Sequence, residues 1–174
     1  MTASSDLAYD AILTAFGTAP GAAYTIGQYA DAAFLPRPES RAHKAARWQD
    51  LTSDLIVRGH AGSLIALISD IMEPADWRYY LPAYMLASLK SGSDGKRIRP
   101  STMLSLYPGR PDPDTFRSRV DGLTQGQCAA ILLFLQAVFE DPETWIGPGA
   151  KSQNEAALEH WRRVTQGLEV GSAG

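Results

Sequence analysis

The block of residues 73–89, EPADWRYYLPAYMLASL, constrains the fold more than any other part of the chain. It combines a helical apolar pattern with four large aromatic residues and an internal proline, Pro82. Proline removes a backbone donor and disfavours helical angles at the residue before it. Pro74, by contrast, suits the first turn of a helix, where its missing N–H has no intrahelical partner. The pattern predicts a helix over residues 74–80, a break or kink, and a second helix over residues 82–90.

The composition fits one globular domain. The chain has 174 residues, of which 45% are hydrophobic and 20% are charged, and a chain of this length buries roughly 70% of its unfolded surface. We expect a single helical domain over residues 1–168 and a frayed tail over residues 169–174. No apolar run reaches the ~20 residues that cross a bilayer, and residues 1–10 lack the charged and apolar blocks of a secretory signal. The expected location is the cytoplasm, with no membrane partner.

Capping patterns predict helices along most of the remaining chain. Thr124 followed by Gln127 forms a capping box, which predicts a helix over residues 125–140 that serves as the central core helix. The fold class is therefore mainly α, an irregular bundle of about six to eight helices with little or no strand. The other expected helix starts are Ser5, Ser63, Asp112 and Ser152, with further helical pieces over residues 28–34 and 39–58, the latter divided near Asp50.

Two segments beside the aromatic block have contrasting patterns. SGSDGKRIRPS, residues 91–101, is the clearest predicted surface loop, because glycine and serine are concentrated in it and charge follows them. The residues that follow, STMLSLYP, are compatible with an extended conformation, so any strand is expected between Ile98 and Tyr107. The apolar residues 64–72 instead cover most of a helix circumference, which predicts a buried helix.

Charge is unevenly distributed along the chain. Residues 90–119 contain seven Lys or Arg against three Asp, a net charge of +4, whereas the whole chain carries -3. A basic middle between acidic ends can face a phosphate or an acidic partner, although such charge is more often a solvated surface. Lys96, Arg97 and Arg99 are the candidate binding residues of this segment, and they are the expected contacts if it binds nucleic acid.

Motifs for catalysis and cofactor binding are not found. GSDGKR lacks the spacing and the hydroxyl of a nucleotide-binding loop, and the sequence has neither a dinucleotide fingerprint nor a serine elbow. The histidines lack a zinc-binding pattern, the lone cysteine lies in an apolar stretch typical of buried thiols, and the paired acids stand at helix ends, where they usually cap or face water. We therefore expect no cofactor and no metal, and favour a protein that is not an enzyme. These residues are His43, His60, His160, Cys128, Glu73 with Asp76, and Glu140 with Asp141 and Glu143.

The aromatic block also offers a candidate contact site. Arg78, Tyr79 and Tyr80 are candidate binding residues, because planar charged and aromatic side chains are favoured anchors in protein interfaces. Trp77 and Tyr84 are assigned to the core by their helical spacing. The sequence gives no catalytic role to any of the five.

Four pieces of the sequence carry a resemblance to a known family. They are AFGTAPG at the end of the first helix, RWQDLTSDLI, the EPADWRYYLPAYMLASL block with its RYYLPAYM core, and the late EAALEHWRR helix. Over most of residues 5–165 the chain resembles a family of small uncharacterised bacterial proteins, a domain of unknown function. The resemblance implies a bacterial origin, and it brings no activity that could be assigned to residues of this chain.

Three functions remain open. The leading hypothesis is a non-catalytic protein-binding domain, of immunity or accessory type, that covers a site on another protein. The acidic balance, the small size and the missing catalytic motifs favour it. The first alternative is an enzyme or small-ligand binder whose cleft is assembled from distant residues such as Arg78, Tyr80 and His60. The second is nucleic-acid binding through residues 90–119. The sequence defines neither the oligomeric state nor the identity of the partner.

Overall fold

The computed structural model describes residues 2–17, 21–33, 47–58, 64–108, 112–141 and 150–167, and the side chains of residues 30–33 and 150 are not among the described parts. Within these ranges the fold consists of nine α-helices and one 3-10 turn, with no strand, which confirms the mainly α prediction. The helices are α1 (Ala3–Phe16), α2 (Ile26–Ala33), α3 (Ser53–Arg58), α4 (Leu64–Asp70), α5 (Pro74–Leu89), α6 (Ser93–Ser105), α7 (Pro113–Val120), α8 (Gln125–Phe139) and α9 (Ala150–Thr165); the 3-10 turn is Trp48–Asp50.

Helix α5 is the centre of the packing. It contacts α1, α3, α4, α6, α7 and α8, and nearly all of its side chains from Asp76 onward are buried. The predicted break at Pro82 is wrong, because α5 continues through this residue to Leu89. A proline inside a helix costs about 3 kcal/mol. The buried residues on both sides of Pro82 offset this cost through their packing, so tertiary contacts override the local preference.

The predicted surface loop over residues 91–101 is also wrong, as is the strand expected between Ile98 and Tyr107, because most of both segments belongs to helix α6. Gly92 has a φ of 105°, a left-handed conformation that favours glycine, and it turns the chain from α5 into α6. Gly95 lies against the end of α5, since a Cβ atom there would be 2.1 Å from the Lys90 carbonyl oxygen. Ile98 of α6 is fully buried, so the segment belongs to the core.

Helices α1 and α8 form the most extensive helix pair of the described fold. The capping box of α8 is confirmed: the Gln127 N–H donates to Thr124 Oγ1 at 3.2 Å, and the Thr124 N–H donates to Gln127 Oε1 at 3.0 Å. Helix α1 is capped by Thr2 instead of the predicted Ser5, whose own N–H donates to Thr2 Oγ1 at 3.2 Å. The first helix therefore starts earlier than its pattern indicated.

Helix α7 packs against α5, and helix α9 packs against α8. The cap predicted at Asp112 is confirmed, because its Oδ1 accepts from the Thr115 N–H at 3.0 Å. Helix α9 begins at Ala150, before the predicted start at Ser152. Trp161 anchors α9 because it is fully buried and its Nε1–H donates to the Leu106 carbonyl at 2.9 Å.

Two predictions concern the segment between α2 and α5. The chain divides after Asp50 as expected, since the 3-10 turn ends there and α3 begins at Ser53. Ile71, expected in the core, is 38% exposed at the end of α4, so residues 64–72 are not buried throughout. The proposed cap Ser63, the histidines His43 and His60, Glu143, residues 39–46 and the tail lie outside the described residues.

No single helix among the described residues is long and apolar enough to cross a membrane. Helices α7 and α8 meet the criteria of length and composition only when taken together, and they are bent by 116° at the break between them.

Candidate functional site

The tyrosines of α5 bind backbone atoms of distant segments. The Tyr80 hydroxyl accepts from the Ile26 N–H at 3.2 Å and donates to the Tyr24 carbonyl at 3.3 Å. The Tyr79 hydroxyl accepts from the Trp48 N–H at 3.4 Å. Both tyrosines are buried, so neither offers its ring as an exposed anchor. Tyr84 is buried as predicted, and its hydroxyl donates to the Leu64 carbonyl.

Arg78 binds the carboxyl end of helix α7. Its Nη1 donates to the Ser118 carbonyl at 2.6 Å and to the Arg119 carbonyl at 3.3 Å. The last carbonyls of a helix lack intrahelical donors and carry partial negative charge, so a cation stabilises them. The guanidinium also lies against Gly122, where a Cβ atom would be 2.4 Å from its Cζ. Arg78 and Tyr80 therefore serve different parts of the backbone.

Asp76 is the one carboxylate of the block that is buried. Its Oδ1 accepts from the Ala23 N–H at 2.7 Å, and its Oδ2 accepts from the Tyr24 N–H at 3.2 Å and from the Tyr29 hydroxyl at 2.8 Å. Burial of a carboxylate is tolerated when donors surround it. Asp76 thus fixes the segment before α2 onto α5, whereas the Glu73 side chain, with which it was paired in sequence, is exposed.

Arg119 is fully buried beneath the start of α5. Its Nη1 donates to the Ser69 carbonyl at 3.1 Å, its Nη2 donates to the Met72 carbonyl at 3.2 Å, and its Cζ lies 5.4 Å from the centre of the Trp77 ring. Its Nε is buried without a hydrogen-bond partner. Burial lowers the pKa of Arg119 to about 10. The backbone carbonyls and the ring face therefore replace a direct ion pair around this charge.

These environments predict a loss of stability at alkaline pH. Burial raises the pKa of Tyr80 to about 12 and raises the pKa values of Tyr29 and Tyr84 further. The unfolded chain releases tyrosine protons from about pH 10, where the folded chain keeps them, so this stability is complete below pH 10 and falls as pH rises toward the folded pKa values. Arg119 has the opposite effect on stability, because its folded pKa is lowered and its deprotonation therefore favours the folded chain. The loss of stability from three tyrosines exceeds this gain from one arginine.

The measurement is the urea midpoint from pH 8 to pH 11.5, which is expected to fall above about pH 10. The same series on Tyr84→Phe should show a shallower decline, because one of the three raised groups is removed. A midpoint that stays constant or rises above pH 10 would contradict the expectation.

A first surface depression, here called the acidic groove, lies between the end of α4, the start of α5 and helix α7. Its volume is about 350 Å³. Exposed Ile71 lies in it together with four exposed carboxylates, while the buried Arg119 forms part of its floor. The Thr115 N–H bond lowers the pKa of Asp112, which keeps that carboxylate ionised. The four carboxylates are Asp70, Glu73, Asp112 and Asp114.

A second depression, here called the basic cleft, lies where α1 and α6 begin and where α5 and α8 end. Its volume is about 510 Å³, and Lys90, Lys96 and Arg99 line it with Glu140 and Asp141. Arg99 is only 8% exposed; its Nη1 contacts Asp141 Oδ2 at 2.6 Å and its Nη2 donates to the Ser88 carbonyl at 3.1 Å. The lysines are exposed, so the cleft has a fixed buried cation and two exposed cations.

The structure separates the six residues singled out in the sequence. Lys96 and Arg99 line one cleft, whereas the exposed Arg97 of the same helix does not line it. Arg78, Tyr79 and Tyr80 lie elsewhere on α5 and bond to internal backbone atoms. Sequence reasoning missed the acidic groove, whose residues come from segments 70–74 and 112–119. Its only local signal was the exposed charge at two helix starts, a pattern that caps alone also explain.

The reactive side chains of the described residues show little that favours catalysis. Cys128 is buried, as expected, and burial raises the pKa of its thiol, which reduces the share of nucleophilic thiolate. In the described ranges, His, Cys, Asp and Glu form no group of three or more suited to hold a metal ion. The ring of His160 packs against Phe116, with ring centres 5.2 Å apart.

The described residues form a mainly α fold organised around one buried helix, α5. The chain belongs to the family of unknown function DUF6714, whose family model matches residues 22–165. Helix α1 precedes the matched span, although it packs against α8. Comparison with curated proteins and with solved structures gives no match.

Proposed function

We propose that this chain is a non-catalytic protein-binding domain that uses the acidic groove to hold a basic segment of a partner protein. The observation that carries the proposal is the placement of four exposed carboxylates around exposed Ile71. The exposed charges beside this apolar side chain are all negative, while the cation Arg119 is buried beneath them. Such a surface suits lysine or arginine, whose methylene stems cover apolar surface while their heads meet the carboxylates.

The wider chemistry of the chain is consistent with this proposal. The whole protein is acidic, with a pI near 5.6, which favours encounter with basic surfaces. We further propose an immunity or accessory role, in which the chain covers a basic functional site of its partner. A bacterial origin and a cytoplasmic location are parts of the same proposal, the first from the resemblance of the RYYLPAYM core.

The alternatives have weaker support. Nucleic-acid binding would use Lys96, Arg97 and Arg99 together, but Arg99 is buried against Asp141, and Glu140 and Asp141 line the same cleft. A nucleic-acid backbone is bound by several exposed cations along its length, whereas Arg99 is buried and Arg97 does not line this cleft. The small-ligand alternative requires the polar atoms of Arg78 and Tyr80 to face one cleft. They bind separate backbone segments instead.

Random-peptide display against the immobilised chain tests the proposal. Enriched peptides should combine Lys or Arg with an apolar residue, and their affinity should fall as salt is raised. The double substitution Asp70→Lys with Glu73→Lys should weaken binding by at least about tenfold, because attraction becomes repulsion in the groove. The measurement is the dissociation constant of one enriched peptide for each variant.

The matched control is Asp6→Lys with Asp10→Lys, which makes the same charge change on the exposed side of α1. It should retain binding within about twofold. Thermal melting of both double variants establishes that the fold persists. Failure to enrich basic peptides, or equal weakening in the two double variants, would falsify the proposed site.

A further inference from the structure

We propose that the basic cleft is a second, separate site that binds a small molecule bearing compact oxyanions, either phosphate or carboxylate groups. The cleft volume of about 510 Å³ lies in the usual range of small-ligand pockets. Lys90, Lys96 and Arg99 outnumber Glu140 and Asp141 in its lining. The cleft is therefore locally positive in a chain whose net charge is -3.

The arrangement of these charges defines one wall and one rim. Arg99 is held in place by Asp141 and by the Ser88 carbonyl, so its guanidinium is a fixed cation in the wall of the cleft. Lys90 and Lys96 are exposed at the rim. Lysine ammonium groups on flexible stems can close around an anion from the solvent side, whereas a fixed arginine orients it.

Side-chain hydroxyls provide further donors. Thr2 and Ser5 line the cleft, and their hydroxyl oxygens lie 3.0 Å apart at the exposed start of α1. Hydroxyl groups donate to phosphate and carboxylate oxygens equally well. The helix ends supply little net field, because α1 and α6 begin at the cleft while α5 and α8 end there. The side-chain cations and hydroxyls therefore carry the binding.

Helix α6 offers a sharp internal comparison. Lys96 and Arg97 are adjacent, exposed and equally charged, but Lys96 lines the cleft and Arg97 does not. A general attraction between the basic segment and anions would depend on both residues alike. A bound oxyanion would depend on Lys96 far more than on Arg97.

The test is a titration of the full chain with pyrophosphate and, separately, with citrate, followed by amide NMR shifts at constant ionic strength. Saturable shifts are expected at Ser91, Gly92 and Lys96, and their absence with both anions would overturn the proposal. Response to pyrophosphate alone assigns the site to phosphate groups, response to citrate alone assigns it to carboxylates, and response to both supports the shared oxyanion chemistry.

Variants locate the site. The affinity is measured for whichever of the two anions binds more tightly. Lys96→Glu should lower this affinity by at least about tenfold, while Arg97→Glu should change it by less than about twofold. Lys90→Ala gives an independent readout and should weaken binding about threefold, which keeps the test decisive if Lys96→Glu fails to fold. Equal losses in Lys96→Glu and Arg97→Glu would show general charge attraction and refute the site. Because the acidic groove is untouched by these changes, the outcome is separate from that of the peptide experiment.

Discussion

Replacement of Asp76 by alanine is expected to lower the free energy of unfolding by about 3 kcal/mol, because it leaves three buried or partly buried donors without their acceptor. The donors are the N–H groups of Ala23 and Tyr24 and the hydroxyl of Tyr29. The segment before α2 would lose its attachment to α5. Chemical denaturation of the wild type and the variant, followed by circular dichroism, gives the difference directly.

Two further substitutions make the Asp76 result specific. Asp10→Ala removes an exposed carboxylate from α1 and should change the free energy of unfolding by less than about 0.5 kcal/mol. Asp76→Asn keeps one acceptor oxygen but places an amide donor opposite N–H groups. Its loss of unfolding free energy should therefore be smaller than that of Asp76→Ala and larger than that of Asp10→Ala. A stability of Asp76→Ala close to that of Asp10→Ala would show that water replaces the carboxylate.

Gly95→Ala is expected to destabilise the fold by about 2 kcal/mol, although alanine is the better helix former. The added Cβ would lie 2.1 Å from the Lys90 carbonyl oxygen and 3.2 Å from the Ala87 carbonyl oxygen. These are backbone atoms and cannot rotate away, so α6 must move from the end of α5. The unfolding free energy measures the cost, and amide NMR shifts at residues 87–96 report the displacement.

The same substitution at Gly126 provides the control. Gly126 lies in α8 and is exposed. The atom nearest to an added Cβ there would be Thr124 Oγ1, at 4.0 Å. Gly126→Ala should therefore stabilise the protein by about 0.5–1 kcal/mol through the lower entropy of the unfolded chain. Changes of opposite sign in the free energy of unfolding would show that the close contact between α5 and α6 causes the destabilisation by Gly95→Ala. Changes of the same sign would refute that explanation.

Local signals predicted the helices that begin with a clear cap. Thr124 with Gln127 and Asp112 act on N–H groups within three residues, so their chemistry is complete in the sequence. Pro82 was misleading because the burial of α5 on all sides is a property of the whole fold. The glycines of residues 91–101 were interpreted as a loop, whereas Gly95 serves the close approach of two helices.

The candidate site was less accessible to sequence reasoning than the fold. Lys96 and Arg99 were selected from their basic segment, and the structure places both in one cleft. Glu140 and Asp141 belong to the same lining, and no local pattern predicts that they meet the basic segment. Arg78, Tyr79 and Tyr80 were selected because planar side chains with a polar end are favoured in protein interfaces. Such side chains can equally pack inside the fold and bond to backbone atoms through their polar end. Burial decides between the two roles, and it depends on partners far along the chain.

The bonds made by helix α5 have an asymmetric consequence for mutation. Asp76 and Arg78 use their side chains, but the groups that they bind at Ala23, Tyr24 and Ser118 are main-chain atoms. The side chains of those three positions are exposed. These three bonds are therefore encoded on one side only, unlike the bond from the Tyr29 hydroxyl to Asp76. Substitutions at positions 23, 24 and 118 can change the surface chemistry that the chain presents to a partner while the three bonds are preserved.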